Sequence, residues 1–173
     1  MKEIEKPAQF TIRQVEAADA AIIGLHRARM FQDMGDVPPE QFDALRAASE
    51  RWTAQALETG EYVGWLASPA GDAERVVSGA GVHIRRVAPH PLKRSSGAIA
   101  IAAESRHALV LNVFTEPEWR RRGAAVLLME RIVEWARAER IVRVVLHASP
   151  LGRPVYERAG FVPTNEMRYG GDL

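Results

Sequence analysis

Residues Leu109 to Ala125, LVLNVFTEPEWRRRGAA, constrain this chain more than any other stretch. An apolar strand runs through a proline-containing turn into Arg120-Arg121-Arg122-Gly123-Ala124-Ala125 and straight into an amphipathic helix. The first turn of a helix leaves backbone N–H groups without partners and carries the positive end of the helix dipole, so a strand–turn–helix of this kind is suited to hold a phosphate. Gly123 removes the Cβ at the point of closest approach, Ala124 and Ala125 keep the next turn low, and three arginines offer forked donors to phosphate oxygens. The competing reading of Arg120 to Arg122 is a solvated or nucleic-acid-facing basic run.

Two common phosphate loops do not fit. The chain has no GxxxxGK[ST] and no GxGxxG. What remains is Arg-x-x-Gly-x-Ala, and here the sequence resembles the GNAT superfamily of N-acetyltransferases. The family signature is (Arg/Gln)-x-x-Gly-x-(Gly/Ala), between its fourth strand and third helix. Arg120, Gly123 and Ala125 match the fixed positions, and Leu128 stands where the family usually has leucine. A second match follows in Val144 to Phe161, VVLHASPLGRPVYERAGF. The family's fifth strand leads into a helix ending Leu-Tyr-x-x-x-Gly-Phe, and Val155, Tyr156, Gly160 and Phe161 occupy those places. One helix and one strand separate the two segments, as in the family.

The resemblance implies an α+β fold: a central mixed sheet, mostly antiparallel, with splayed parallel strands around the acetyl-CoA site and about four flanking helices. It implies that the pyrophosphate of acetyl-CoA lies on Arg120, Arg121, Arg122, Gly123, Ala124 and Ala125. The pantetheine amides would pair with the strand edge at Leu111, Asn112 and Val113, in the manner of strand addition. The family often has asparagine at the end of its fifth strand, where this chain has Ser149, which stands as a further cofactor-binding position. Tyr156 is the candidate catalytic residue, a general acid for the leaving thiolate, since a phenol near pKa ~10 is a feasible donor; a half-buried packing tyrosine is the alternative. For the general base, Glu104, Glu116, His107 and water remain open. The family's first two helices shape the acceptor pocket, which puts Arg27, Met30, Phe31 and Met34 either there or in lid and core packing.

The implied reaction is acetyl transfer from acetyl-CoA to a primary amine, by direct attack in a ternary complex, with a small molecule or peptide as acceptor. A CoA-binding regulatory or interaction module with little or no turnover is the second reading. Composition is compatible with both: 173 residues suit one domain over 1–173, and 47% hydrophobic residues supply a core. A net charge of +1 offers no global field for nucleic acid or a membrane surface, so neither is expected as a partner; a homodimer is compatible with the sequence. With no cysteine, and no histidine pair at helical i, i+4 spacing, no metal is expected. The charged start MKEIEKPAQF has no apolar signal region, and a cytoplasmic setting is the expectation.

Periodicity predicts a strand at Phe10–Val15, then a helix buried through Ala18, Ala21, Ile22 and Leu25. A second helix from about Pro39 to Glu58 carries Phe42, Leu45, Trp52 and Leu57. Tyr62–Ala67 and Val76–Val87 read as a hairpin, and Pro89–Ser96 as a loop. Strands at Leu109–Phe114 and Val142–His147 flank a helix from about Arg122 to Arg140, whose inner side is Ala125, Leu128, Met129, Ile132 and Ala136. Asn165–Tyr169 reads as a last strand.

Overall fold

The computed structural model describes residues 10–93, 96–103, 105–164, 166–167 and 170. Among the described residues there are seven strands: β1 (Phe10–Gln14), β2 (Tyr62–Pro69), β3 (Ser78–Val87), β4 (His90–Lys93), β5 (Ile99–Ala102), β6 (Ser105–Thr115) and β7 (Arg143–Leu146). The α-helices are α1 (Ala20–Asp33), α2 (Phe42–Glu58), α3 (Ala124–Ala138) and α4 (Arg153–Arg158). Five strands form one sheet in the order β1-β2-β3-β6-β7, antiparallel throughout except for the parallel β6–β7 pair, which α3 connects. The mixed α+β architecture expected from the sequence is the one observed.

Two layers cover the sheet. On one face α3 lays Leu128, Met129 and Ile132 onto Trp65 and Ala67 of β2, Ala80 and Val82 of β3, and Ala108 and Val110 of β6. On the other, Ile23 of α1 and Ala56 of α2 close over Tyr62 and Leu66, with Leu111 at the margin. The alternation of β6 therefore runs even-in toward α3 as far as Val110. It then reverses: Val113 packs toward α3, whereas Asn112 and Phe114 meet α1. The cause is a bulge. Gly79 opposes Phe114 and Gly81 opposes Leu111, so β6 spends one more residue than β3 over this interval, and Asn112 sits there with φ 59°. Asparagine is among the few residues that enter the left-handed region at modest cost.

Two readings need correction. Pro89–Ser96 is not a plain loop: His90–Lys93 pairs with Ile99–Ala102 as a separate two-stranded hairpin, which accepts Pro91 because neither strand has a second neighbour among the described residues. The inner face of α1 is also not centred on Ala18, Ala21, Ile22 and Leu25, of which Ile22 packs at the margin of the core and Leu25 is half-buried. Ala18 and Ala21 are exposed, and Ala20, Ile23, Gly24, His26 and Ala28 are buried. Small residues let α2 come close, and a Cβ on Gly24 would stand 2.9 Å from the Arg46 carbonyl oxygen and the Glu50 nitrogen. On α2 the residues that become buried are Ser49, Thr53 and Ala56, while Trp52 stays 40% exposed. The last expected strand, Asn165–Tyr169, lies in part outside the described residues.

Candidate active site

Parallel pairing of β6 with β7 covers only His107–Val110 against Arg143–Leu146. Beyond it the strands part, and β6 continues through Leu111, Asn112 and Val113 to Thr115 with its β7-side edge unpaired among the described strands. Its other edge remains held by β3 through Thr115. Unpaired strand groups of this kind are donors and acceptors in search of a partner, which an amide-bearing chain provides.

The turn that follows delivers α3. A short 3-10 helix at Pro117–Trp119 leads to Arg121 at φ 63° and Gly123 at φ 91°, and Ala124 begins α3 with no side chain capping it. A Cβ on Gly123 would meet nothing within 4 Å, so the helix start opens onto free space. Leu127 N–H donates to the Gly123 carbonyl (3.1 Å), which leaves the amides ahead of it as the orphan donors of the first turn. The three arginines differ. Arg120 is held within the fold, its Nε donating to the Thr115 carbonyl (2.9 Å) and its Nη2 to Asp33 of α1. Arg122 lies over the Trp119 ring, 5.0 Å from its centroid. Arg121 is exposed and forms no ion pair among the described residues.

Side chains from α1 meet the end of β6 in three successive contacts. Arg27 Nη1 donates to Asn112 Oδ1 (2.7 Å), and Asn112 Nδ2 donates to the Tyr62 hydroxyl (3.4 Å). Tyr62 is buried and its pKa is pushed up to about 12 by desolvation, so it stays a phenol; Gly81 makes room for it, since a Cβ there would fall 2.1 Å from the hydroxyl. Next, Arg29 pairs with Glu116, and His26 Nε2 stands 3.5 Å from the same carboxylate with its ring 5.0 Å from that of Phe114. Burial, aided by the Arg29 charge, lowers the His26 pKa to about 4. Last, Arg120 pairs with Asp33. A cavity of about 520 Å³ opens beside these contacts, lined in part by Arg29, Asp33, Arg75, Phe114, Glu116 and Glu118.

Tyr156 lies on α4, packed against the α3-side core, with its ring 6.4 Å from Phe161 and over Gly152. Desolvation raises its pKa above the ordinary tyrosine value. Ser149 caps the turn into α4: its Oγ accepts from Gly152 N–H (3.1 Å) and its carbonyl from Arg153 N–H (3.0 Å). Among the proposed bases, Glu116 is tied to Arg29, and His107 is remote. His107 lies five residues before the bulge, or about 17 Å at the rise of a strand, with its ring 5.1 Å from that of His90. Glu104 lies outside the described residues. Sequence reasoning placed Arg27 near the acceptor pocket or in packing, but missed Tyr62 and the link of both to Asn112. They lie 85 and 50 residues from Asn112, and no local pattern announces such contacts.

Comparison with known proteins agrees with this geometry. Residues 91–171 match the sequence profile of an acetyltransferase (GNAT) domain. No curated protein matches the chain in sequence. Solved structures that are similar include a GCN5-related N-acetyltransferase from Ralstonia eutropha JMP134, 27% identical, covering 93% of this chain and 97% of that one with a TM-score of 0.75. A predicted acetyltransferase from Clostridium acetobutylicum, solved with acetyl-CoA, is 24% identical over 94% of this chain and 96% of that one, with a TM-score of 0.74. An aminoglycoside N-acetyltransferase in complex with CoA shares the fold at 18% identity and a TM-score of 0.61, covering 98% of both chains. The acetyltransferase profile thus falls on the segment that carries β6, the open helix start and Tyr156, and the remainder of the chain follows the fold of the GCN5-related N-acetyltransferase to which it is similar.

Proposed function

We propose that this protein transfers an acetyl group from acetyl-CoA to the primary amine of a small molecule or peptide, by direct attack within a ternary complex. The observation that carries the reading is the uncapped start of α3 at Gly123, open to free space and following directly on a β6 edge that β7 has released. Those residues fit the cosubstrate: orphan amides of Ala124 and Ala125 with Arg121 and Arg122 for the pyrophosphate, and the backbone of Leu111, Asn112 and Val113 for the pantetheine amides. Bound acetyl-CoA supplies the activated acyl group and the thiol leaving group. The chain's residues do the rest. Backbone N–H groups of the released β6 segment are assigned to the developing oxyanion. Tyr156, kept protonated by burial, is assigned to protonation of the leaving sulfur. Because Glu116 is held by Arg29, we assign proton removal from the amine to water.

The acceptor does not carry over from the similar structures, whose substrates differ from one another: one is a glucosamine-6-phosphate N-acetyltransferase, another an aminoglycoside N-acetyltransferase. A cytoplasmic setting, where acetyl-CoA is available, goes with the proposal. Two measurements test it. Acetyl-CoA in hundredfold excess over Kd should stabilise the fold by about 2.7 kcal/mol, and no shift at millimolar ligand would refute the cofactor assignment. Thiol release across a panel of amines, with thioester hydrolysis subtracted, should reveal an acceptor. Binding without amine-dependent release would point instead to a CoA-responsive module.

A further inference from the structure

The three contacts between α1 and the end of β6 are unequal in charge. Arg29 is neutralised by Glu116, and Asp33 by Arg120. Arg27 has no such partner. Its one polar contact is the neutral Asn112 side chain, its guanidinium lies 4.9 Å from the Phe31 ring centroid, and among the described residues no carboxylate comes within ion-pair distance of it. It is nonetheless half-buried, and desolvation lowers its pKa. A desolvated cation without a counter-ion is costly to keep, and the fold keeps this one beside Asn112, the positive-φ residue of β6 just beyond the end of its pairing with β7 at Val110.

We propose that Arg27 is a specificity-determining residue that binds a carboxylate of the acceptor, so that the preferred substrates are amino carboxylates rather than simple amines or polycations. This rests on the acetyl-transfer reading given above. Nη1 is taken by Asn112, and the remaining donors, on Nη2 and Nε, form the planar fork that matches a carboxylate with two parallel hydrogen bonds. A phosphate dianion would call for a second free cation, and Arg29, two residues on along α1, is already neutralised by Glu116. The aromatic face of Phe31 fixes the plane of the guanidinium in advance.

The test is a panel of amino carboxylates, each paired with its carboxamide, assayed for acetyl-CoA-dependent product with the full chain. The carboxylate members should exceed their carboxamides at least tenfold in kcat/KM. Arg27→Gln should bring the two within about threefold of each other, chiefly through KM for the carboxylate, with acetyl-CoA affinity unchanged within twofold. A merely structural role, exerted through Asn112, would lower both members alike and leave their ratio intact, which would overturn the proposal. Carboxamides as good as carboxylates, or a loss of acetyl-CoA binding in the variant, would also overturn it. Should Arg27→Gln fail to fold, Arg27→Lys, which keeps the charge and loses the fork, reads out the same ratio. Product from neither member while acetyl-CoA still binds would refute acetyl transfer itself, an outcome distinct from product without carboxylate preference.

Discussion

Lowering the pH from 7 to 5 should weaken the fold by about 2 kcal/mol through one side chain, His26. This imidazole is 2% exposed, lies against Phe114, and faces a Glu116 oxygen already bound by Arg29. Its pKa falls from the ordinary histidine value of 6.5 to about 4. The unfolded chain takes up a proton that the native chain refuses, so stability is full above the unfolded value and is lost as the pH falls toward the folded one. At about 1.4 kcal/mol per tenfold change in proton concentration the full interval amounts to roughly 3 kcal/mol, of which about two-thirds is gone by pH 5. Urea unfolding at pH 7, 6 and 5 reads this directly. With a slope of about 2 kcal/mol per molar, the midpoint should drop by about 1 M. Other groups titrate over the same range, so the deciding quantity is the difference between the parent and His26→Gln, whose acid sensitivity should be smaller by about that amount. Equal pH dependence in the two proteins would refute the argument.

Two further outcomes bear on the site. Gly123→Ala should cost about 1 to 2 kcal/mol of stability, because φ 91° disfavours any Cβ, and should weaken acetyl-CoA binding by more than tenfold; calorimetry below the unfolding range separates the two, and unchanged affinity would remove the phosphate from this helix start. Tyr156→Phe should leave acetyl-CoA affinity nearly intact and lower kcat by roughly 10² or more. Since burial raises the pKa of this phenol, the parental rate should hold until the pH exceeds the ordinary tyrosine value before the acid form is lost; a variant retaining half the parental rate, with chemistry rate-limiting, would return Tyr156 to packing.

What was legible in the sequence was local. The amphipathic period of α3, the apolar run of β6 and the spacing from Arg120 to Ala125 are each written within a few residues, and all three appear in the structure. The α1 face was misread because its inner residues are small: glycine and alanine carry little hydrophobic signal, yet they let α2 approach and so decide which side is buried. The β4–β5 hairpin was missed because PHPLKRSS is polar and proline-bearing, as an exposed two-stranded ribbon is free to be. The pairing of Arg120 with Asp33, far away in sequence, likewise had no local signature. The link from Arg27 through Asn112 to Tyr62 had no signature, since it joins polar residues that only the completed sheet brings together.

The bulge at Asn112 acts as a phase shifter in the strand. Ahead of it, positions 107–110 are locked by neighbours on both sides, and their inward and outward assignments are dictated by the α3 core. Behind it, the same strand restarts its count with one neighbour only. Substitution can therefore retune the outlet half, residues 111–115, against α1 and whatever docks along the released edge, without disturbing the register of the anchored half. Deleting Asn112 would remove the extra residue, set Val113 opposite Ala80 with Phe114 still opposite Gly79, leave both in their present layers, and turn an adaptable outlet into ordinary sheet without its link to Arg27.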